Sequence, residues 1–262
     1  MSQDSIPRRP PLRAFAIVPA AGRSQRMGRA KLLLPWGSAT VIEGVIVRWR
    51  ASRVERIVVV ARRDDQPLHE RLRKFQSPGD LLSLSPSAVL SSPPALLSSP
   101  ALLSSPAPSA SPSPSPSPAP SVELVLPAVD PPDMKDSVRA ALAHLSQSAA
   151  PGPDDVWLMA PADMPELSSR VVDRLIAAAS QFPGEILVPR AGGRRGHPVL
   201  FPFAFSNHVE RLGPDEGLNR LLELLPVQEL EWPAEAAEEA VPDDLDTPAD
   251  YARALESGRP RC

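Results

Sequence analysis

The chain is nearly devoid of cysteine: a single one, Cys262, occupies the last position. One thiol closes no internal disulfide, and no Cys/His cluster has the spacing of a structural zinc site. This fits a reducing compartment, and a cytoplasmic location is expected. An excess of charge is also missing. With 28 basic and 31 acidic residues the formal net charge is −3. A nucleic-acid binder normally carries a basic excess, so that class is disfavoured. No apolar run approaches the ~18 residues of a membrane span. Residues 1–13 are polar and rich in Pro and Arg, without the apolar stretch of a secretory signal. They read as a disordered lead-in. Neither nucleic acid nor membrane is an expected partner.

What the chain has in abundance is proline, 35 of 262 residues, against an average near 5%. They are unevenly placed. Residues 77–121 hold 12 prolines and 16 serines, with Asp80 as the only charge. The hexapeptide Ala-Leu-Leu-Ser-Ser-Pro occurs at 95–100 and again at 101–106, and a Ser-Pro alternation follows at 111–118. Proline removes backbone donors and blocks helix, so this stretch builds neither ladder nor core. It reads as a disordered or polyproline-II insert, more readily filler in a tolerant loop than a ligand for a partner domain. The remainder, 14–76 and 122–257, is suited to one domain, with 258–262 as a tail.

Apolar runs at 15–18, 57–61, 122–126, 156–160, 186–188 and 199–201 are short and rich in Val, Ile and Leu. Continuous runs of this kind suit strands buried on both faces. Helix-like stretches alternate with them at 41–50, 67–74, 137–145, 168–179, 216–224 and 249–255, with Ser168 as a cap and Pro248 at a first helical position. The expectation is an α/β domain: a Rossmann-like, doubly wound and mostly parallel sheet. Ligands of such sheets bind beyond the carboxyl ends of strands.

The first strand runs into Pro19-Ala20-Ala21-Gly22-Arg23-Ser24-Gln25-Arg26-Met27-Gly28-Arg29-Ala30-Lys31. Ala20, Ala21 and Gly22 allow close approach of a ligand to the backbone. Amides of such a turn cradle phosphate oxygens, and Arg26 and Lys31 neutralise phosphate charge. There is no G-x-G-x-x-G, and the glycine spacing is not that of a P-loop.

These residues resemble the signature of the MobA-like nucleotidyltransferases, and within that family the molybdenum cofactor cytidylyltransferases. Later segments match in order: Met134 with Ser137-Val138-Arg139, Ala162-Asp163-Met164-Pro165, Arg194-Arg195-Gly196-His197-Pro198, Asp215-Glu216-Gly217, and Asp244-Leu245-Asp246-Thr247-Pro248. Asp133 stands where the family usually has glycine. The resemblance implies a nucleotide-diphospho-sugar transferase fold. It implies nucleotide contacts at Ala20, Ala21, Gly22, Ser24, Arg26, Gly28, Lys31 and Ser137, with Arg26 and Lys31 catalytic.

Asp163 follows a strand at its carboxyl end, where a carboxylate suits Mg²⁺ (or Mn²⁺) shared with substrate phosphates. The alternative, a cap of the next helix, falls more naturally to Ser168. Asp246 alone reads as a helix start; the resemblance makes it the second metal ligand. Arg195, Gly196, His197 and Pro198 form a constrained turn that would expose an imidazole beside two guanidiniums, a seat for an anionic acceptor. No nucleophile–base pair is evident, which agrees with direct transfer.

The resemblance implies CTP as donor, molybdopterin with bound molybdenum as acceptor, and a molybdoenzyme or its maturation factor as recipient. Other readings are a sugar- or methylerythritol-phosphate cytidylyltransferase, a GTP-using relative, and a non-catalytic cofactor carrier.

Overall fold

The computed structural model describes residues 11–23, 30–76, 119–233, 236–241 and 245–256. The expected lead-in up to Pro10, most of the insert (77–118), residue 257 and the expected tail, 258–262, lie outside them.

Each of the six apolar runs forms a strand, and four further strands lie outside them. The first, β1 (Ala14–Pro19), pairs in parallel with β4 (Arg56–Val60) on one side and with β6 (Val156–Met159) on the other. Beyond β4 lies β5 (Ser121–Val125), also parallel. It opens at Ser121, so the sheet claims the last residue assigned above to the insert. Beyond β6 come β9 (Val199–Pro202), β7 (Ile186–Ala191) and β10 (Val227–Glu231). The order is β10-β7-β9-β6-β1-β4-β5, with a short β8 (Arg194–Arg195) on β7. Only β9 and β8 run against the rest. Two short strands, β2 (Pro35–Trp36) and β3 (Ala39–Thr40), form a separate hairpin.

The sheet is buried on both sides, as its continuous apolar runs require. Ala14, Ala16 and Val18 of β1 pack on one face, and Phe15 and Ile17 on the other. The first face is covered by α1 (Val41–Arg50), α2 (Gln66–Arg73) and α4 (Ser169–Ala179). The second is covered by α3 (Met134–Ser148), with stacked Trp157 and Phe201 rings 4.1 Å apart. In α4 the buried positions Val171, Val172, Leu175, Ile176 and Ala179 recur at helical spacing, which is why this segment is a helix with one apolar stripe.

Local chemistry sets the helix ends. The Asp133 side chain accepts from Asp136 N–H at 2.9 Å and caps α3. The departure from the family's glycine thus supplies the cap, and it starts α3 earlier than the expected 137. Ser168 occupies the N-cap of α4 but makes no side-chain cap bond; its hydroxyl donates to Glu239 instead, at 3.4 Å. The helix expected from 216 is α6 (Asn219–Leu224), because Glu216 turns back to accept from Gly213 N–H. Two short helices, α5 (Ser206–Glu210) and α7 (Ala237–Ala240), add to the expected set, and α8 (Pro248–Glu256) starts at the anticipated proline. Arg13 grips buried Asp155 through its backbone N–H (2.9 Å) and its guanidinium (2.6 Å), so the packed chain begins inside the expected lead-in.

Thr40 and Glu43 make a capping box on α1, and Glu43 is 1% exposed. Its carboxylate accepts from Thr40 N–H and pairs with Lys74, each at 2.6 Å. Burial alone would push its pKa up from 4.5, and the bonds from Lys74 and Thr40 more than reverse this. A carboxyl held low in the fold adds stability above its unfolded pKa, and that stability is lost as pH falls through the folded value. We expect Glu43→Gln to lose about 2 kcal/mol at pH 7. Below pH 4.5 the gap to the wild type should narrow. Thermal unfolding of both proteins between pH 3 and pH 7, on the order of that titration window, measures it.

Candidate active site

The chain runs from β1 outward to β4 and β5, then returns across β1 to β6. The crevice at this reversal lies beyond the carboxyl ends of β1 and β6, where ligands of open α/β sheets bind. Three expected residues meet there. Lys31 opens a 3-10 turn (Lys31–Leu33), Asp163 follows β6, and Asp246 precedes α8. The Lys31 ammonium donates to Asp163 Oδ2 and, at 3.1 Å, to Asp246 Oδ1. The Lys31 and Asp163 side chains are 12% and 11% exposed, while Asp246 is 43% exposed at the rim. Burial pulls the Lys31 pKa down, but the bonds and charges of the two carboxylates outweigh it and hold the group above its ordinary value. Lys31 is a fixed cation at neutral pH.

Two carboxylates reaching one cation form an oxygen-only donor pair. Among the described residues no three or more His, Cys, Asp or Glu converge as a metal cage. A pair completed by substrate phosphates and water suits Mg²⁺ or Mn²⁺, so the residues fit such an ion.

A second recess of about 560 Å³ lies between the end of β1 and the loop into α3. Ala21, Gly22 and Ser137 line it, as do Arg23, Arg62 and Asp130. A Cβ at Gly22 would meet nothing within 4 Å among the described residues, so none of them demands glycine there. Ala20 is buried in the core, its N–H donating to Val60 O at 2.8 Å, and does not line the recess. The buried Ser137 hydroxyl donates to Asp133 O at 3.3 Å. Ser24, Arg26 and Gly28 lie outside the described residues.

The 195–198 turn differs from the exposed seat anticipated above. Gly196 N–H donates to Pro189 O (2.8 Å) and His197 N–H to Ala240 O (3.2 Å). These bonds draw the turn inward. The His197 imidazole is largely enclosed, and among the described residues its buried Nδ1 has no partner. Burial lowers its pKa below 6.5, against the opposing pull of the Met159 backbone and the Asp163 charge. It is neutral at neutral pH. Arg194 and Arg195 remain exposed, and Arg195 pairs at 2.7 Å with Glu229 of β10, the edge strand on β7. Pro198 follows through a cis peptide bond.

Residues 16–86 and 98–232 match the profile of the MobA-like NTP transferase domain. The chain belongs to the MobA-like nucleotidyltransferase family. No curated protein matches its sequence. Similar solved structures share the fold at low identity. Rv0371c from Mycobacterium tuberculosis H37Rv in complex with manganese has 21% identity and a TM-score of 0.58, over 94% of this chain and 98% of its own. Molybdopterin-guanine dinucleotide biosynthesis protein A from Archaeoglobus fulgidus has 16% identity and a TM-score of 0.57, over 93% and 98%. CMP:2-keto-3-deoxy-manno-octonic acid synthetase complexed with CTP has 12% identity and a TM-score of 0.59, over 94% and 99%. The mostly parallel α/β fold of this MobA-like chain is shared with these three structures. No helix among its described residues is long and apolar enough to cross a membrane.

Arg23, Arg62 and Asp130 were not anticipated. Arg62 follows the end of β4 by two residues, as Ala21 follows β1, so the carboxyl-end rule pointed to it; its setting, Arg62-Arg63-Asp64-Asp65, reads as ordinary solvated surface.

Proposed function

We propose that the chain transfers CMP from CTP to the phosphate of molybdenum-bearing molybdopterin, with release of pyrophosphate. The meeting of Lys31, Asp163 and Asp246 beside the Ala21–Gly22 recess carries this reading. The recess would take the nucleoside, with Ala21 and Gly22 close to it and Ser137 at its wall. The acceptor phosphate would attack the α-phosphorus in line. Asp163 and Asp246 would hold Mg²⁺ or Mn²⁺, which would neutralise triphosphate charge when bound. Lys31, protonated throughout, would turn from the carboxylates to the phosphoryl oxygens as their charge grows. Arg26 would act from the same loop. No covalent intermediate is needed, because an acceptor phosphate is already ionised at neutral pH. Gly196, His197 and Pro198 would border the acceptor, with neutral His197 as a contact and Arg195 at the rim. The product would pass to a molybdoenzyme or its maturation factor.

The test is a melting-temperature panel with CTP, GTP, ATP and UTP in the presence of Mg²⁺, followed by pyrophosphate release with molybdopterin as acceptor. A ligand that binds only the native state raises its melting point. We expect the largest rise with CTP, and release that requires both substrates. No rise with any nucleotide would overturn the reading.

A further inference from the structure

The Arg62 guanidinium is unusually occupied for a residue at the wall of a recess. Its side chain is 14% exposed. Nη1 donates to Ala21 O at 3.1 Å and to Gly22 O at 3.2 Å. Nε donates to Asp64 Oδ1 at 2.9 Å, with Asp65 at 3.7 Å and Asp130 at 3.9 Å. Its own carbonyl accepts from the ring of buried His69, at 2.8 Å, which ties the residue to α2. Three carboxylates therefore balance its charge and the core fixes its backbone. Such a group is poorly placed to act as a phosphate ligand. What it does is hold two consecutive carbonyls.

The consequence lies in the peptide planes. Ala21 O shares a plane with Gly22 N–H, and Gly22 O with Arg23 N–H. Both bonds are trans, so within each plane the C=O and N–H point in opposite directions. By drawing both carbonyls to itself, Arg62 turns both N–H groups away. Neither of them donates to a described backbone carbonyl. Gly22 and Arg23 both line the recess. The loop thus has two acceptors engaged and two donors without a described backbone acceptor.

Two adjacent donors select among bases. The pairing edge of cytosine carries two neighbouring acceptors, N3 and O2. That of guanine carries two neighbouring donors, N1–H and N2–H, and uracil places a donor between two acceptors. We infer that Arg62 sets the base preference of the recess, holding the Ala21 and Gly22 carbonyls so that the loop presents N–H donors to cytosine. Arg62 is a positioning residue, since it acts through the loop. This rests on the reading that the recess takes the base of CTP. Arg23 pairs with Asp130 at 3.0 Å across the mouth and keeps Asp130 beside Arg62.

The test is calorimetric titration of the full chain with CTP and with GTP in Mg²⁺, for the wild type, Arg62→Lys and Arg62→Met. Freed carbonyls turn toward the recess, where they repel cytosine O2 and accept from guanine. We expect the wild type to favour CTP and Arg62→Met to lower the CTP:GTP affinity ratio about tenfold, the worth of one to two hydrogen bonds. Arg62→Lys, with one point charge for two carbonyls, falls between them. The ratio does not depend on the fraction of protein folded, so a merely destabilised variant lowers both affinities and leaves it unchanged. An unchanged ratio in Arg62→Met would overturn the inference and leave the proposed activity standing. A wild type that prefers GTP would overturn it as well. A wild type that binds no nucleotide would remove the reading and the inference together.

Discussion

Replacement of Lys31 by methionine is expected to lower kcat/KM for CTP about 10³-fold, the scale of removing one preorganised cation or donor from a phosphoryl-transfer site. The same change should make the protein more responsive to Mg²⁺. In the wild type Lys31 bridges Asp163 and Asp246, and its raised pKa keeps it charged through neutral pH. Without it, two carboxylates that reach one point lose their shared counter-charge, and Asp163 is nearly buried. Like charges so placed favour capture of a divalent cation. Melting curves with and without MgCl₂ should show a larger Mg²⁺-induced rise in Lys31→Met than in the wild type. Asp163→Asn should abolish the rise in both backgrounds. Equal rises in wild type and Lys31→Met would show that the two aspartates do not form one cation site.

Gly196→Ala is the second severe change. A Cβ at Gly196 would lie 1.7 Å from Ala240 O and 2.6 Å from Ala240 C. The obstacle is backbone, which cannot rotate away as a flexible side chain would. Either the 236–241 segment moves off, breaking the His197 N–H bond to Ala240 O, or β8 shifts from β7. We expect a loss of about 3 kcal/mol and a fall of roughly 10 °C in melting temperature. CTP affinity should stay near wild type, because Gly196 lies outside the recess at the end of β1. A variant that melts with the wild type would show that the close approach is easily relieved. The sequence made this glycine a candidate for substrate contact; its neighbours give it a packing reason as well.

That contrast marks where residue-level reading stops. The inner strands were legible, since β1, β4 and β6 are buried on both faces and carry unbroken apolar runs. Strand β10 was not, because Val227-Gln228-Glu229-Leu230-Glu231 sits at the sheet edge and needs only β7. Lys31 and Asp163 were legible from their places after strands. Their contact was not, because the partners stand 132 residues apart. Asp246 looked like a helix start, and it does precede α8; only the fold shows it reaching Lys31. The enclosure of His197 involves Ala240, through a single backbone bond from His197 N–H to Ala240 O with no signature in either segment. Arg62 escaped notice because its role lies in which carbonyls it holds, and composition does not report this.

The crossover from α2 to β5 has a bearing on how this gene can change. Ser121 N–H donates to Glu55 O, just ahead of β4, so the crossover rejoins the sheet at its amino end. Lys31, Asp163 and the Ala21–Gly22 loop all sit at the opposite end. Closing a longer connection adds only about 0.6 kcal/mol per doubling of its length. Replication slippage in the Ala-Leu-Leu-Ser-Ser-Pro and Ser-Pro repeats can therefore lengthen or shorten this part of the coding sequence while selection on the chemistry barely registers it. The same join is a permissive point for an inserted tag or reporter domain.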